Sequence, residues 1–203
     1  MPDTADTTEA RIRQAAQRVF VRDGFDGARM QDIADEAGIN KALLHYYFRS
    51  KDKLFALIFE EKMGQFLDSI WTVLGSDGSL HDKIRRMVEL DITQLSQEPV
   101  IPLFIFHEIS QNPELVRQKL RDKNADGLFA AFARQVDDEA RRGLIRPVDP
   151  QQLFANLLSL TVFPFVAKPM LQGFMTLNEP AFAQFIEDRK QQAADFLIHA
   201  LRP

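Results

Sequence analysis

Between Lys41 and Tyr46 the chain carries, in order, a lysine, an alanine, two leucines, a histidine and a tyrosine. If Leu44, Tyr47 and Phe48 face a core, a step of about 100° per residue turns Ala42 and Tyr46 outward. Leu43 and His45 then flank them, and Lys41 lies near the start of the helix. An outward Leu-His-Tyr face with few charges is odd for a helix that is merely solvated. It suits a surface entering a DNA major groove, where apolar tips meet thymine methyls and polar tips meet base edges or phosphates. The competing reading packs this face against the rest of the protein; the two-helix spacing and the basic residues that follow favour the groove.

Ser50 is placed to cap the next helix, whose first turn holds Lys51 and Lys53. Basic side chains there oppose the helix dipole, a conflict that a bound phosphate offsets. Arg11, Arg18 and Arg22 share a face of an earlier helix and can also approach phosphates, although each taken singly reads as part of a solvated face. Other chemistry is sparse. The absence of cysteine excludes disulfides, a thiol nucleophile and cysteine-bound metals, and four scattered histidines form no metal-ligand cluster. His107 closes an apolar run from Val100 to Ile109; it can hydrogen-bond a ligand or sit as a satisfied core histidine. Glu108 beside it does not make a catalytic pair, because adjacent helical residues do not face each other. No catalytic residue, cofactor or metal is expected.

The elements that position these groups follow from periodicity. Met30, Ile33, Ala34 and Ala37 lie on one side of Gly38, and Leu44, Tyr47 and Phe48 on the other, each set at helical spacing. Met30 to Arg49 therefore reads as a helix-turn-helix, with Gly38 in a left-handed turn and Asn40 capping the second helix. A first helix, capped by Asp6 with Glu9 three residues on, carries Ile12, Ala15, Ala16, Val19 and Phe20 and stops at Gly24.

Asp6 to Phe59 resembles the DNA-binding head of the TetR/AcrR family of bacterial one-component regulators. The resemblance rests on the spacing of Ile12, Ala15, Ala16, Val19 and Phe20, on GFDGARMQDIADEAGINKALLHYYF through Phe48, and on the SKDKLF that follows. It implies that Gln31 and Lys41 contact bases, while Ala42, Leu43, His45, Tyr46 and Lys51 line the groove or its phosphate walls. Arg29 stands where many members have a capping Thr or Ser, and an arginine keeps the phosphate contact but not the cap. Leu43 in place of a smaller residue, and His45 in place of a tyrosine, bear on which operator is read rather than on how.

Downstream, Phe55, Phe59, Met63, Phe66, Ile70 and Leu74 mark a helix of about 35 Å, long enough to join the head to a separate body. Ser79 starts a fifth helix through about Gln97, with Leu80, Ile84, Met87, Val88, Asp91 and Leu95 along one side. Val100 to Ile109 reads as a short, fully buried helix, and Pro113 to Arg142 as one long amphipathic helix with Leu120, Leu128, Phe129, Phe132 and Val136 inward. After the linker GLIRPVDP, Gln151 to about Met170 is apolar nearly all round and should kink or break at Pro164 and Pro169. A last helix carries Phe182, Phe185, Ile186, Ala193, Phe196, Leu197, Ala200 and Leu201. The expected architecture is all-α with about nine helices. A three-helix helix-turn-helix DNA-binding head (1–50) is joined by the long helix to a helical ligand-binding and dimerisation body (51–203).

Composition agrees. The 203 residues are 45% hydrophobic, enough for one generous core or two small ones. The net charge of −4 hides an uneven distribution: Arg11 to Lys53 holds nine Lys and Arg against six Asp and Glu, and the remainder from Leu54 is acidic. No apolar run spans a bilayer and the N-terminus lacks a signal pattern, so a soluble, cytoplasmic protein without a membrane partner is expected. Fourteen of the seventeen phenylalanines follow Lys53, consistent with a body that has both a core and an apolar cavity or interface. The candidate effector pocket comprises Trp71, Phe104, His107, Phe129, Phe132 and Phe163. The resemblance implies that the last two helices pair with their copies in a homodimer.

These readings converge on a homodimeric transcriptional repressor that binds a pseudo-palindromic double-stranded DNA operator and is released by a small apolar or amphipathic effector. The alternatives are a ligand-independent architectural DNA binder that recruits a protein partner, and a helical enzyme with a vestigial head.

Overall fold

A computed structural model of the chain describes residues 4–98 and 100–203, with side chains at all of these except 4–6, 100, 103–105 and 108. Eleven helices and no strand occur among them. They are α1 (Thr4–Gly27), α2 (Met30–Glu36), α3 (Lys41–Tyr47), α4 (Lys51–Leu74), α5 (Leu80–Gln97), α6 (Val100–Gln111), α7 (Pro113–Asp122), α8 (Ala125–Arg141), α9 (Pro150–Val166), α10 (Lys168–Met175) and α11 (Glu179–Ala200). The two beyond the expected nine arise where the sequence reading ran helices together. The first compact unit holds the described residues of Met1–Gly64 and Pro99–His107; the second holds Gln65–Glu98 and Glu108–Pro203. The sequence reading divided the chain at 50/51. Because α4 continues without a break from Lys51 to Leu74, the division between units falls inside it.

In the first unit, α1 packs on α2 and α2 on α3. The shared core is Ile12, Ala15, Ala16, Val19, Phe20, Ile33, Ala34 and Leu44. The helical path of α1 breaks at Gly24, whose φ of 71° favours glycine, as the sequence reading had it. The helix starts at Thr4, ahead of the Asp6 expected as its cap, and the Asp6 side chain lies outside the described residues.

In the second unit α5 is the hub, packing against α11, α9 and α8. Its N-terminus is closed by a capping box in which the Ser79 side chain accepts from the Asp82 N–H and the Asp82 carboxylate accepts from the Ser79 N–H. Those bonds, the Ser79 hydroxyl first, hold the Asp82 carboxyl below its ordinary range. Ile84, Met87, Val88, Ile92 and Leu95 fill the stripe, facing a core that includes Leu153, Leu157 and Leu197.

Two expectations are corrected here, and the break expected at Pro164 and Pro169 is borne out. The single helix expected from Pro113 to Arg142 is two, because Asn124 adopts a left-handed φ of 52°, which asparagine tolerates. Trp71 and Asp68 on α4 pin that break: the indole Nε1 donates to the Lys123 carbonyl at 2.8 Å, and Lys123 Nζ pairs with Asp68 at 2.6 Å. The helix starting near Gln151 ends at Val166, and α10 departs from it at 78°. That break falls beside Pro164 and Pro169, as their missing N–H groups and ring clashes dictate. Finally, α6 is not fully buried, since Phe106 and Ile109 are 61% and 52% exposed. No single helix among the described residues is long and apolar enough to cross a membrane.

Candidate nucleic-acid interface

The turn between α2 and α3 is built from local signals. Gly38 has a φ of 65°, and a Cβ there would meet nothing, so only the backbone conformation asks for glycine. The Gly38 and Ile39 N–H groups donate back to the Asp35 and Ala34 carbonyls at 3.1 and 3.0 Å, closing the end of α2. Arg11 reaches across from α1 and donates to the Ala37 carbonyl at 2.9 Å. Asn40 then caps α3, its side-chain oxygen accepting from the Leu43 N–H at 2.8 Å.

With Leu44 and Phe48 buried and Tyr47 half-buried, α3 turns Lys41, Ala42, Leu43, His45 and Tyr46 outward. Tyr46 is 80% exposed, its ring edge-on to Tyr47 with centroids 5.4 Å apart. Among the described residues, the side chains of Lys41 and His45 form no hydrogen bond or ion pair. The face therefore offers a cation, an imidazole and a phenol, interleaved with apolar tips, to whatever approaches.

Flanking residues differ from one another. Arg29 occupies the N-cap position of α2 in extended conformation without a side-chain cap and is exposed. Gln31 is exposed and donates to Asp35 at 2.8 Å, an i, i+4 pair that fixes its amide. Lys51 is half-buried: its ammonium donates to the carbonyls of Phe25 at 2.6 Å and Asp26 at 3.4 Å and lies 4.4 Å from the Phe25 ring centroid. It thus closes the loop after Gly24, and at most one of its three protons remains for a phosphate. Ser50 caps α4 through the Lys53 N–H at 3.2 Å. The arginines of α1 lie against protein acceptors. Besides the Arg11 bond, Arg18 pairs with Glu36 at 2.7 Å and Arg22 with Asp23 at 2.9 Å.

The residues read as an effector pocket are only partly brought together. Phe129 and Phe132 lie 6.2 Å apart, and both rings pack on Phe154, a neighbour that sequence reading passed over. His107 instead belongs to the first unit, with its ring 4.5 Å from Phe25 and 4.9 Å from Phe55. Trp71 serves the α7–α8 break, Phe163 is 51% exposed on the outer face of α9, and the Phe104 side chain is outside the described residues. Two surface clefts, one lined by Asp137, Arg141 and Val148 and one by Ser79, Gln135 and Glu139 among others, contain none of the six.

The family model for bacterial regulatory proteins of the tetR family matches residues 12–58, and that for the YsiA-like protein C-terminal region matches residues 59–172. The HTH-type transcriptional repressor SCO4008 of Streptomyces coelicolor is 47% identical over 195 residues, which cover 95% of this chain and 96% of that protein. The chain belongs to the TetR family. The HTH-type transcriptional repressor NicS of Pseudomonas putida, also similar, is 40% identical over 204 residues, 95% of this chain and 88% of its own. Among solved structures, FadR from Bacillus subtilis in complex with stearoyl-CoA matches with a TM-score of 0.64 at 16% identity, over 95% of this chain and 99% of that one, a likeness of fold.

As a TetR-family protein, this chain is a helix-turn-helix DNA-binding transcriptional regulator. Two features of this chain were missed by sequence reasoning. Phe25, which seats Lys51, gave no signal beyond its place after Gly24. Asp91 did give one, as a lone acid in the apolar stripe of α5, and the structure buries it completely.

Proposed function

We propose that the protein is a homodimeric repressor whose first 50 residues read a pseudo-palindromic operator, and whose body from residue 51 dimerises and releases the DNA when a small apolar or amphipathic effector binds. The observation that carries the reading is the contrast of cations in the head: the α1 arginines are committed to protein acceptors, while Lys41 and His45 stand unpaired beside an 80% exposed Tyr46 on one face of α3. Lys41, Gln31, His45 and Tyr46 would contact base edges. Ala42 and Leu43 would meet methyl groups, with Arg29 and the remaining proton of Lys51 on phosphates.

Support for the dimer comes from apolar surface late in the chain, where Phe163, Val166 and Phe196 on α9 and α11 are exposed. Support for an effector comes from the Phe129, Phe132 and Phe154 cluster and from the stearoyl-CoA bound by the Bacillus FadR of the same fold. Such an effector acts only if it binds the released shape more tightly; a tenfold preference per site is worth about 1.4 kcal/mol.

The test is fluorescence anisotropy on the promoter DNA beside the protein's own gene. Changing Lys41 and Tyr46 together to Ala should weaken binding by at least 100-fold while size-exclusion and circular dichroism stay those of the wild type. Wild-type affinity should fall steeply between 50 and 200 mM salt. Unchanged binding by the double variant removes α3 from the interface.

A further inference from the structure

Asp91 lies in the buried stripe of α5 among Met87, Val88, Ile92 and Leu95, and none of it reaches solvent. Its Oδ2 accepts from the Thr161 hydroxyl of α9 at 3.1 Å, whereas Oδ1 has no hydrogen-bond partner among the described residues. Even the Thr161 contact is shared, because the single hydroxyl proton also faces the Leu157 carbonyl at 3.2 Å. The cations packed into this part of the body are committed elsewhere: the buried Lys83 donates to the Leu74 carbonyl and Gln135, and the half-buried Arg189 through Nε to the Leu160 carbonyl. An apolar residue at position 91 would spare the fold a half-satisfied carboxyl, so keeping an acid there calls for a partner the chain does not supply.

The surroundings indicate what partner. Thr161 follows Phe154 by seven residues, two turns along one face of α9, a separation of roughly 10 Å. Phe154 packs 5.8 Å from Phe129 and 5.9 Å from Phe132, and Phe129 and Phe154 are only half-buried. One side of α9 thus leads from a partly open aromatic cluster to an acid with an unused oxygen. Aromatic rings stack on such a cluster, and a positively charged nitrogen is the donor that best satisfies a carboxylate in a low-dielectric setting.

We propose that the effector of this body is an aryl-alkyl amine whose ring lies on Phe129, Phe132 and Phe154 and whose ammonium donates to Asp91 Oδ1. The inference rests on the effector reading above and adds to it a charge and a polarity. An acid of the same shape is disfavoured by repulsion from Asp91; a neutral alcohol supplies one uncharged hydrogen bond and ranks between them.

Charge-matched probes test it: tryptamine, tryptophol and indole-3-acetate, with the same three head groups on phenyl and naphthyl rings. Each is scored at pH 8 by thermal shift and by release of promoter DNA from the full-length protein. For at least one ring, the amine should stabilise most, the alcohol less and the acid not at all. In Asp91→Asn the amine should bind at least tenfold more weakly, with the alcohol within threefold of wild type. Phe129→Ala, at a half-buried position, should weaken every member of the series alike. Amines that rank no better than their acids, or that bind Asp91→Asn as well as wild type, overturn the assignment. If alcohols or acids nevertheless release the DNA, the effector reading survives without it; if no compound shifts the melting point or releases DNA, both fall.

Discussion

Through Ser50 every buried residue among those described is apolar, whereas the body buries Lys83, Asp91, Glu139 and Thr161 around α5. The head keeps its charges outside, tied to carbonyls and carboxylates on α1 and left unpaired on α3. The body carries charge inward, where Glu139 accepts from the Leu80 N–H at 2.8 Å and Lys83 bridges α4 and α8. Water screens the first kind of charge and not the second. Among the described residues, the apolar interior of the head holds no group that a change of proton could charge, whereas the buried polar groups of the body include one.

The largest effect that would break this contrast concerns Asp91. Burial pushes its carboxyl up to about 7 from an ordinary 3.8, against a smaller opposing effect of the Thr161 hydrogen bond. The folded state therefore holds the proton more tightly than the unfolded one. The resulting stability is fully present below pH 3.8 and is lost as pH rises through about 7. The loss approaches about 4 kcal/mol. Urea midpoints measured from pH 4 to 8 should converge or cross between wild type and Asp91→Asn; parallel curves would mean that the interior of the body does not feel this charge.

Next in size is Leu44→Ala, which empties a fully buried site in the small apolar core of the head. It should cost about 3 kcal/mol. Calorimetry should show an early transition and loss of DNA binding while the later transition stays in place, and a uniform drop of both transitions would show that the two cores are not separate. The smallest effect is that of Lys51→Met, which keeps a stem over Phe25 but loses the carbonyl contacts. A stability loss of about 1 kcal/mol is expected. If only DNA affinity changes, Lys51 is a phosphate ligand first and a loop clamp second.

Much of the head was legible because its signals are local. Gly38, Asn40 and the spacing of Ile33, Ala34 and Leu44 act within one or two turns, and the structure has them in those roles. The body was legible as helices but not as a site. Nothing adjacent in sequence announces that Trp71 meets Lys123 or that His107 lies against Phe25 and Phe55. The Lys123-Asn124 break was hidden because an amphipathic pattern continues across it, and only the left-handed backbone of Asn124 separates α7 from α8.

The sequence by itself determined the all-α class, the order of helices, the helix-turn-helix and the outward face of α3, since helical periodicity and capping depend on neighbours three or four residues away. Only the tertiary structure decided which charges are free, which phenylalanines meet and which acid is sealed with one oxygen unpaired. Those outcomes depend on residues brought together from distant parts of the chain, where burial changes what a side chain can do: Lys51 is drawn into the Phe25 loop, and Asp91 becomes an acid that holds its proton near neutrality.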